Sequence, residues 1–321
     1  MSSDPDSGHP LPPAGLFPSR LALGNLLVLL SATGFAAKGI LAKMAYHEGL
    51  NPSTVLNLRM LSVLPVYLAG LFIFGRKRPG LRPGPGHPDF WKVVLLGLLG
   101  FDLSAILDFE GLQRIGAGPE RLVLFLYPTF VLFLSALLGR RRIGLGEILS
   151  SILAYVGLAV ITGGGAAESP GERAGVLLVL GSAVFYAMYL VGVERVVRRV
   201  DPLYLTSLVM VVATCAILSQ SLVSGTFHPA SADKRALLLV GAMGIFSTAL
   251  PTFFMTVGIS LIGASRSALL SFLGPVLTLA MAAIFLGEKM DLREGAGTVL
   301  ILLGVGAVGL GGAAERFRKS G

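Results

Sequence analysis

Five ionisable residues, Lys38, Arg59, Asp102, Asp108 and Glu110, interrupt stretches of the chain that are otherwise almost entirely apolar. At a lipid-exposed helix centre each would cost roughly 2.5–3.5 kcal/mol. Such groups must therefore face a protein interior, pair with one another or lie shallow. Counting about 1.5 Å per helical residue from the end nearer the N-terminus places Asp102 roughly 17 Å deep and Lys38 roughly 21 Å deep. Arg59 lies roughly 10 Å below the opposite boundary by the same rise. Asp108 and Glu110 come nearer that boundary, and all three, Arg59 included, are placed where long polar side chains snorkel. By depth, Lys38 is the cation nearest Asp102. Arg59 supplies a planar fork suited to a carboxylate or phosphate. These three are candidates for binding a charged ligand or exchanging a proton, and the structural alternative is an ion pair that only tethers helices. Tyr127, Ser271, Ser247 and Thr248 are polar neighbours that would either line the same space or, the commoner role, serve only helix packing. Pro128 and Pro275, each in the middle of an apolar run, would free the carbonyls of Leu124 and Ser271, as hinges or broken-helix ligands or as ordinary tolerated kinks. Glu120-Arg121 opens its run and reads as a capping or interfacial pair.

Other chemistries lack their residues. All four histidines, His9, His47, His87 and His228, fall in the tail or in connecting segments, and the single cysteine, Cys215, has no second thiol to join. A disulfide framework and a cysteine metal cluster are excluded. The chain contains no HExxH, no phosphate-binding G-x-x-x-x-G-K-[ST] and no G-x-S-x-G. Neither a metal nor a cofactor is expected. Gly163-Gly164-Gly165 follows a helix rather than a strand and reads as a loop.

The elements that must position the charges are membrane-spanning. Of 321 residues, 54 % are hydrophobic and only 14 % charged, with 42 glycines besides, against roughly 25 % charge in soluble domains. There is too little polar surface to coat a globule of this size. At roughly 20 residues per span the length allows about ten spans. Apolar runs bounded by charge, proline or glycine fall at 24–46, 52–74, 91–113, 119–139, 144–163, 174–194, 202–224, 236–260, 264–286 and 292–313. Asn51-Pro52 and Asp201-Pro202 each place a capping side chain before a proline at the first helical position. The tail, residues 1–20, has no basic n-region and reads as disordered, not as a cleaved signal. The net charge of +8 is scattered over short connections, so no nucleic-acid partner is implied. Segments on the N-terminal side of the bilayer hold twice as many lysines and arginines as those on the other side, which places both termini in the cytoplasm.

The second half echoes the first. Gly116-Ala117, Phe125, Pro128, Glu147 and Gly157 match Gly263-Ala264, Phe272, Pro275, Glu294 and Gly304, each 147 positions later. LLVLLSA (26–32) similarly matches LLVLGSA (177–183), and Pro52 matches Pro202. The shared prolines and glutamates are not apolar filler, so the expectation is an all-α membrane protein of two repeats, 21–165 and 172–315. Five helices per repeat is an odd number, so the second copy enters the bilayer inverted. Inverted copies create a midplane site open to alternate sides. Gly304, Gly306 and Gly309 suit close helix packing or a homodimer.

The segments GFAAKGILAKMAY, NLRML, RIGAGPERLVLFLYPTFV (114–131), LIGASRSALLSFLGPV (261–276) and FLGEK (285–289) resemble the drug/metabolite transporter superfamily, specifically its ten-helix EamA-like branch, from about 24 to 313. One motif departs: the usual LGE after the fourth helix reads LGRRR in the first repeat, while Leu286-Gly287-Glu288 keeps it in the second. The positive-inside rule accounts for the arginines. The resemblance implies a secondary carrier, more an exporter than an importer, of small metabolites such as amino acids in the bacterial inner membrane. Its partners would be the small-molecule substrate and the lipid bilayer. Two rivals are an integral membrane enzyme, which would want a nucleophile or metal cluster, and a lipid-translocating protein, which would want an apolar groove.

Overall fold

A computed structural model describes residues 20–77, 86–138, 144–163, 169–271, 273–289, 292 and 295–304. The described residues are helical and contain no strand. In chain order the helices are α1 (Arg20–His47), α2 (Pro52–Lys77), α3 (Phe90–Arg114), α4 (Ala117–Leu137), α5 (Leu145–Gly163), α6 (Pro170–Val196), α7 (Pro202–Val223) and α8 (Lys234–Ile262). α9 follows as Ala264–Leu270 and Leu273–Met281 and continues to Leu286, and α10 covers Gly295–Gly304. The tail before Arg20, the loop with Arg140, Arg141 and Arg142, the Glu147 side chain, Gly164, Gly165, Phe272, Glu294, Gly306 and Gly309 lie outside the described residues.

Local chemistry starts these helices where capping residues stand. Asn51 Oδ1 accepts from the Thr54 amide at 2.7 Å, and Asp201 accepts from Leu203 and Tyr204. Ser169 and Glu172 form a reciprocal capping box, satisfying amides that helix geometry leaves orphaned.

Among the described residues, seven helices (α1–α4 and α6–α8) are long and apolar enough to cross a bilayer. The segments Gly274–Leu286 and Gly295–Gly304 are shorter apolar helices. Leu26, Phe72, Leu177, Leu238 and Val223 project outward with half or more of their surface exposed. An apolar exterior of this kind suits a lipid solvent. The chain is a multi-pass membrane protein.

Inside, polar pairs stitch the first half of the chain to the second. Ser31 donates to the Pro251 carbonyl at 2.8 Å, Asn57 to Ser221 at 2.6 Å, and Thr278 to the Ala36 carbonyl at 3.1 Å. Tyr67 pairs with Thr252 at 2.9 Å and Ser104 with Ser182 at 3.0 Å. Such bonds hold helices together where lipid supplies no hydrophobic drive. Gly34 permits the same closeness, since a Cβ there would overlap the Pro251 ring and the Phe246 carbonyl.

Two irregularities recur in the two halves, 146 or 147 positions apart. α4 breaks after Leu124 and resumes at Tyr127, and α9 breaks after Leu270 and resumes at Leu273. α3 carries a π-helical turn over Leu98–Leu103 and α8 another over Ile245–Ala249. The break corrects the expectation of prolines kinking continuous helices. Pro128 and Pro275 fall in the first turn of the resumed segments, where the missing N–H has no intrahelical partner to lose.

Candidate functional site

Call the end of the bundle holding Arg20 proximal and the end holding the turn between α1 and α2 distal. Counted from their distal ends at about 1.5 Å per residue, Lys38, Arg59 and Asp108 lie roughly 9–14 Å inside and Glu120 roughly 5 Å inside. α1, α2, α3 and α4 thus deliver their charges to one layer in the distal half. They line, or stand against, a cavity of about 80 Å³ whose walls include Lys38, Arg59, Asp108, Arg121, Tyr127 and Ser271.

Lys38 forms an ion pair with Asp108, and its Nζ lies 3.4 Å from Glu120 Oε1. Two buried carboxylates therefore share one ammonium. Glu120 is fully buried against Lys38, and Arg121, 7 % exposed, lines the cavity, so the pair expected at an interface is interior. Asp108, expected to be shallow, is buried too. Glu110 alone stays near the surface, paired with Arg114 at 3.0 Å along one helix face.

Asp102 is not Lys38's partner. Its Oδ2 accepts from Gln220 Nε2 at 3.0 Å and its Oδ1 has no partner. Depth along an axis does not fix azimuth, so Lys38 meets Asp108 and not the carboxylate nearest to it by depth. The cavity stripe of α3 runs Phe101, Ser104, Ala105, Asp108 and Phe109, at spacings that keep one helical face. Asp102 points elsewhere. That periodicity was legible in the sequence and would have chosen Asp108.

Arg59 is 4 % exposed and does not snorkel. Its guanidinium carbon lies 4.7 Å from the centroid of the Phe109 ring, so the ring supports its face. Nε and Nη2, the two donors along one edge of the guanidinium, have no hydrogen-bond partner. Arg121 Nε is likewise unpartnered. Buried donors on charged groups are costly when unmet, and this pair has the parallel spacing that a carboxylate or phosphate satisfies bidentately. Arg121 packs against Gly274, where a Cβ would come within 2.7 Å of Nη2, tying the cavity to the break in α9.

The opposite wall is aromatic. Tyr127 meets Tyr186 edge-on at 5.1 Å, Tyr186 stacks with Tyr189 at 5.9 Å, and Phe101 meets Tyr189 at 5.0 Å. Tyr127 from α4 and Ser271 from α9 line the cavity together, as does Thr248. Ser247 is buried with an unpartnered hydroxyl and is not among the lining groups. Glu288 works elsewhere. Its carboxylate accepts from the amides of Ala117 and Gly118 at 2.9 and 3.1 Å, capping α4 from the far end of α9. Among the described residues no cluster of three or more histidine, cysteine or acidic side chains could hold a metal.

A multi-helix membrane bundle enclosing a charged, aromatic-walled cavity defines a class: proteins that pass small solutes across a bilayer. The EamA-like transporter family matches twice, at residues 22–163 and 173–310, and the chain belongs to it. The uncharacterized transporter YcbK of Bacillus subtilis (strain 168) is 31 % identical over 88 % of this chain and 92 % of its own length. An S-adenosylmethionine/S-adenosylhomocysteine transporter of Chlamydia trachomatis serovar L2 is 27 % identical over 69 % of each chain. A protein of known crystal structure shares the fold at a TM-score of 0.65 and 20 % identity, covering 93 % of this chain and 98 % of that one. The protein is a transporter of a small-molecule substrate and not an enzyme.

Proposed function

We propose that the protein is a secondary carrier that exports small metabolites bearing a carboxylate, amino acids or related compounds, across a bacterial inner membrane. In this reading the two halves are inverted five-helix repeats, ten spans in all, with the proximal face and both termini in the cytoplasm. The single observation that carries the substrate class is the buried, unpartnered Nε–Nη2 edge of Arg59, set against an aromatic wall with Arg121 close by. A solute carboxylate would take that edge. A solute ammonium would compete with Lys38 for Asp108 and Glu120. The cavity of about 80 Å³ is smaller than the roughly 300 Å³ at which ligand pockets begin, so this is a contracted state that must expand around its cargo.

Alternating access would use the two broken helices, with Pro128 and Pro275 as hinges beside Tyr127 and Ser271. The export direction rests on the family resemblance. Asp102, with one oxygen free and the other on Gln220, is the candidate for proton exchange. The name of the Chlamydia relative adds adenosyl amino acids to the solutes worth trying, since these join a carboxylate to a flat base. Gly304 is buried within the chain and serves helix packing; a homodimer is part of the same reading.

The test is counterflow in reconstituted liposomes. A panel pairs each carboxylated solute with its decarboxylated amine and is run with and without an imposed pH gradient. Saturable exchange of carboxylated members supports the reading. Exchange of amines alone, or of lipid alone, overturns it.

A further inference from the structure

Beyond the charged cavity, a second cavity of about 370 Å³ opens at the distal end between α2, α3 and α7, lined by Ser53, Glu110, Gln113, Gln220, Ser224 and Thr226 among others. Phe109 lines both cavities. The ring is 1 % exposed. Arg59 lies against it, Lys38 Nζ is 5.8 Å from its centroid, and Tyr46 donates a hydrogen bond to its backbone carbonyl at 3.1 Å. Its chain neighbour Asp108 is the ion-pair partner of Lys38. We propose that Phe109 is the selectivity gate between a distal vestibule and the charged cavity. The ring is held shut by the same Arg59 that takes the solute anion.

The two roles of Arg59 use different parts of one group. Its face rests on the ring while its free edge awaits an anion. A carboxylate arriving at that edge draws the guanidinium toward itself and loosens its hold on Phe109, so the gate yields to solutes with the right charge. A neutral solute of the same size meets the ring still supported. The bulk of Phe109 then sets how wide a solute passes. The vestibule is the outer release position, furnished with amides and hydroxyls, its one carboxylate, Glu110, already engaged by Arg114. This inference rests on the proposed carrier function of the cavity, and the experiment keeps the two apart.

Single-cysteine proteins are made in a Cys215→Ser background, because Cys215 is exposed. One reporter is Gln113→Cys in the vestibule and the other Ala105→Cys in the charged cavity, each reconstituted and treated with an impermeant thiol reagent from the distal side. Gln113→Cys should react at least about tenfold faster than Ala105→Cys, and Phe109→Ala should close that gap without changing the vestibule rate. Phe109→Leu, which keeps bulk but removes the cation–π hold, should give an intermediate rate, and it decides the question if the alanine variant does not fold. Equal rates at the two reporters with Phe109 intact, or a gap indifferent to both substitutions, would overturn the gate. These rates need no solute. Protection of Ala105→Cys by a carboxylated solute tests the cavity separately. No protection together with a Phe109-dependent gap supports the gate and overturns the solute site.

Discussion

Removing the ammonium of Lys38 leaves Asp108 and Glu120 buried together without the cation they share. Deleting one partner of a buried pair costs about 3–5 kcal/mol, because the remaining charge loses its compensation. Arg121 faces the same two carboxylates, so the lower end, about 3 kcal/mol, is expected for Lys38→Met. At about 2–4 °C per kcal/mol for a chain of this order, the melting temperature in detergent should fall by about 6–12 °C. Lys38→Met with Asp108→Leu removes the orphaned partner and leaves Glu120 to Arg121. Most of the stability should return while transport in liposomes stays lost. Lys38→Met with Asp102→Leu should show no such recovery, because Asp102 bonds to Gln220 and not to Lys38. A Lys38→Met protein that melts at the wild-type temperature would refute the buried-pair argument. A Lys38→Met/Asp108→Leu protein that transports normally would reduce the charges to helix tethers.

Three further outcomes are expected. Pro128→Ala with Pro275→Ala should insert normally but turn over more slowly, because the helix breaks can then heal into continuous helix; counterflow rates check this, and unchanged turnover would deny a hinge role. In the Cys215→Ser background, Lys77→Cys should react with impermeant thiol reagents only from the cytoplasmic side and Lys234→Cys only from outside, and the reverse pattern would end the orientation argument. Asp89, just ahead of α3, accepts from Lys92 Nζ at 2.6 Å, and that bond holds its carboxyl below the ordinary value of 3.8. A depressed folded-state value stabilises the fold above the ordinary range and is lost as pH falls through it. Asp89→Asn should therefore flatten the acid side of the melting-temperature profile, and an unaltered profile would show the bond to be inert.

Much of this architecture is legible in the sequence because the bilayer admits so few solutions. Apolar runs, caps at Asn51 and Asp201, and the buried Lys38 all follow from what hydrocarbon tolerates, whereas Arg59, counted as shallow, is buried. The pairing of charges is less legible. Counting along helix axes put Lys38 beside Asp102, whereas the helical face shared by Ser104, Ala105 and Asp108 decides which carboxylate meets it. Glu120-Arg121 looked like a helix start because it opens an apolar run. The surrounding helices α1, α3 and α9 enclose that start and bury it. Neither the π-turns nor the breaks before Pro128 and Pro275 have a residue code of their own. They show only in the hydrogen bonding, and the turn in α3 resets the azimuth of Asp102 relative to the residues that precede it.

The central claim is that the free edge of Arg59 receives the carboxylate of a transported solute. Arg59→Lys keeps the charge and gives up the bidentate edge. A charge-assisted hydrogen bond is worth about 1.5–3 kcal/mol, so losing one should raise the KM of a carboxylated solute by about tenfold or more in liposome counterflow. The decarboxylated analogue should be affected little. A KM for the carboxylated solute that does not change in Arg59→Lys, or a rise shared equally by its amine analogue, would contradict the assignment of Arg59 as the anion-binding group.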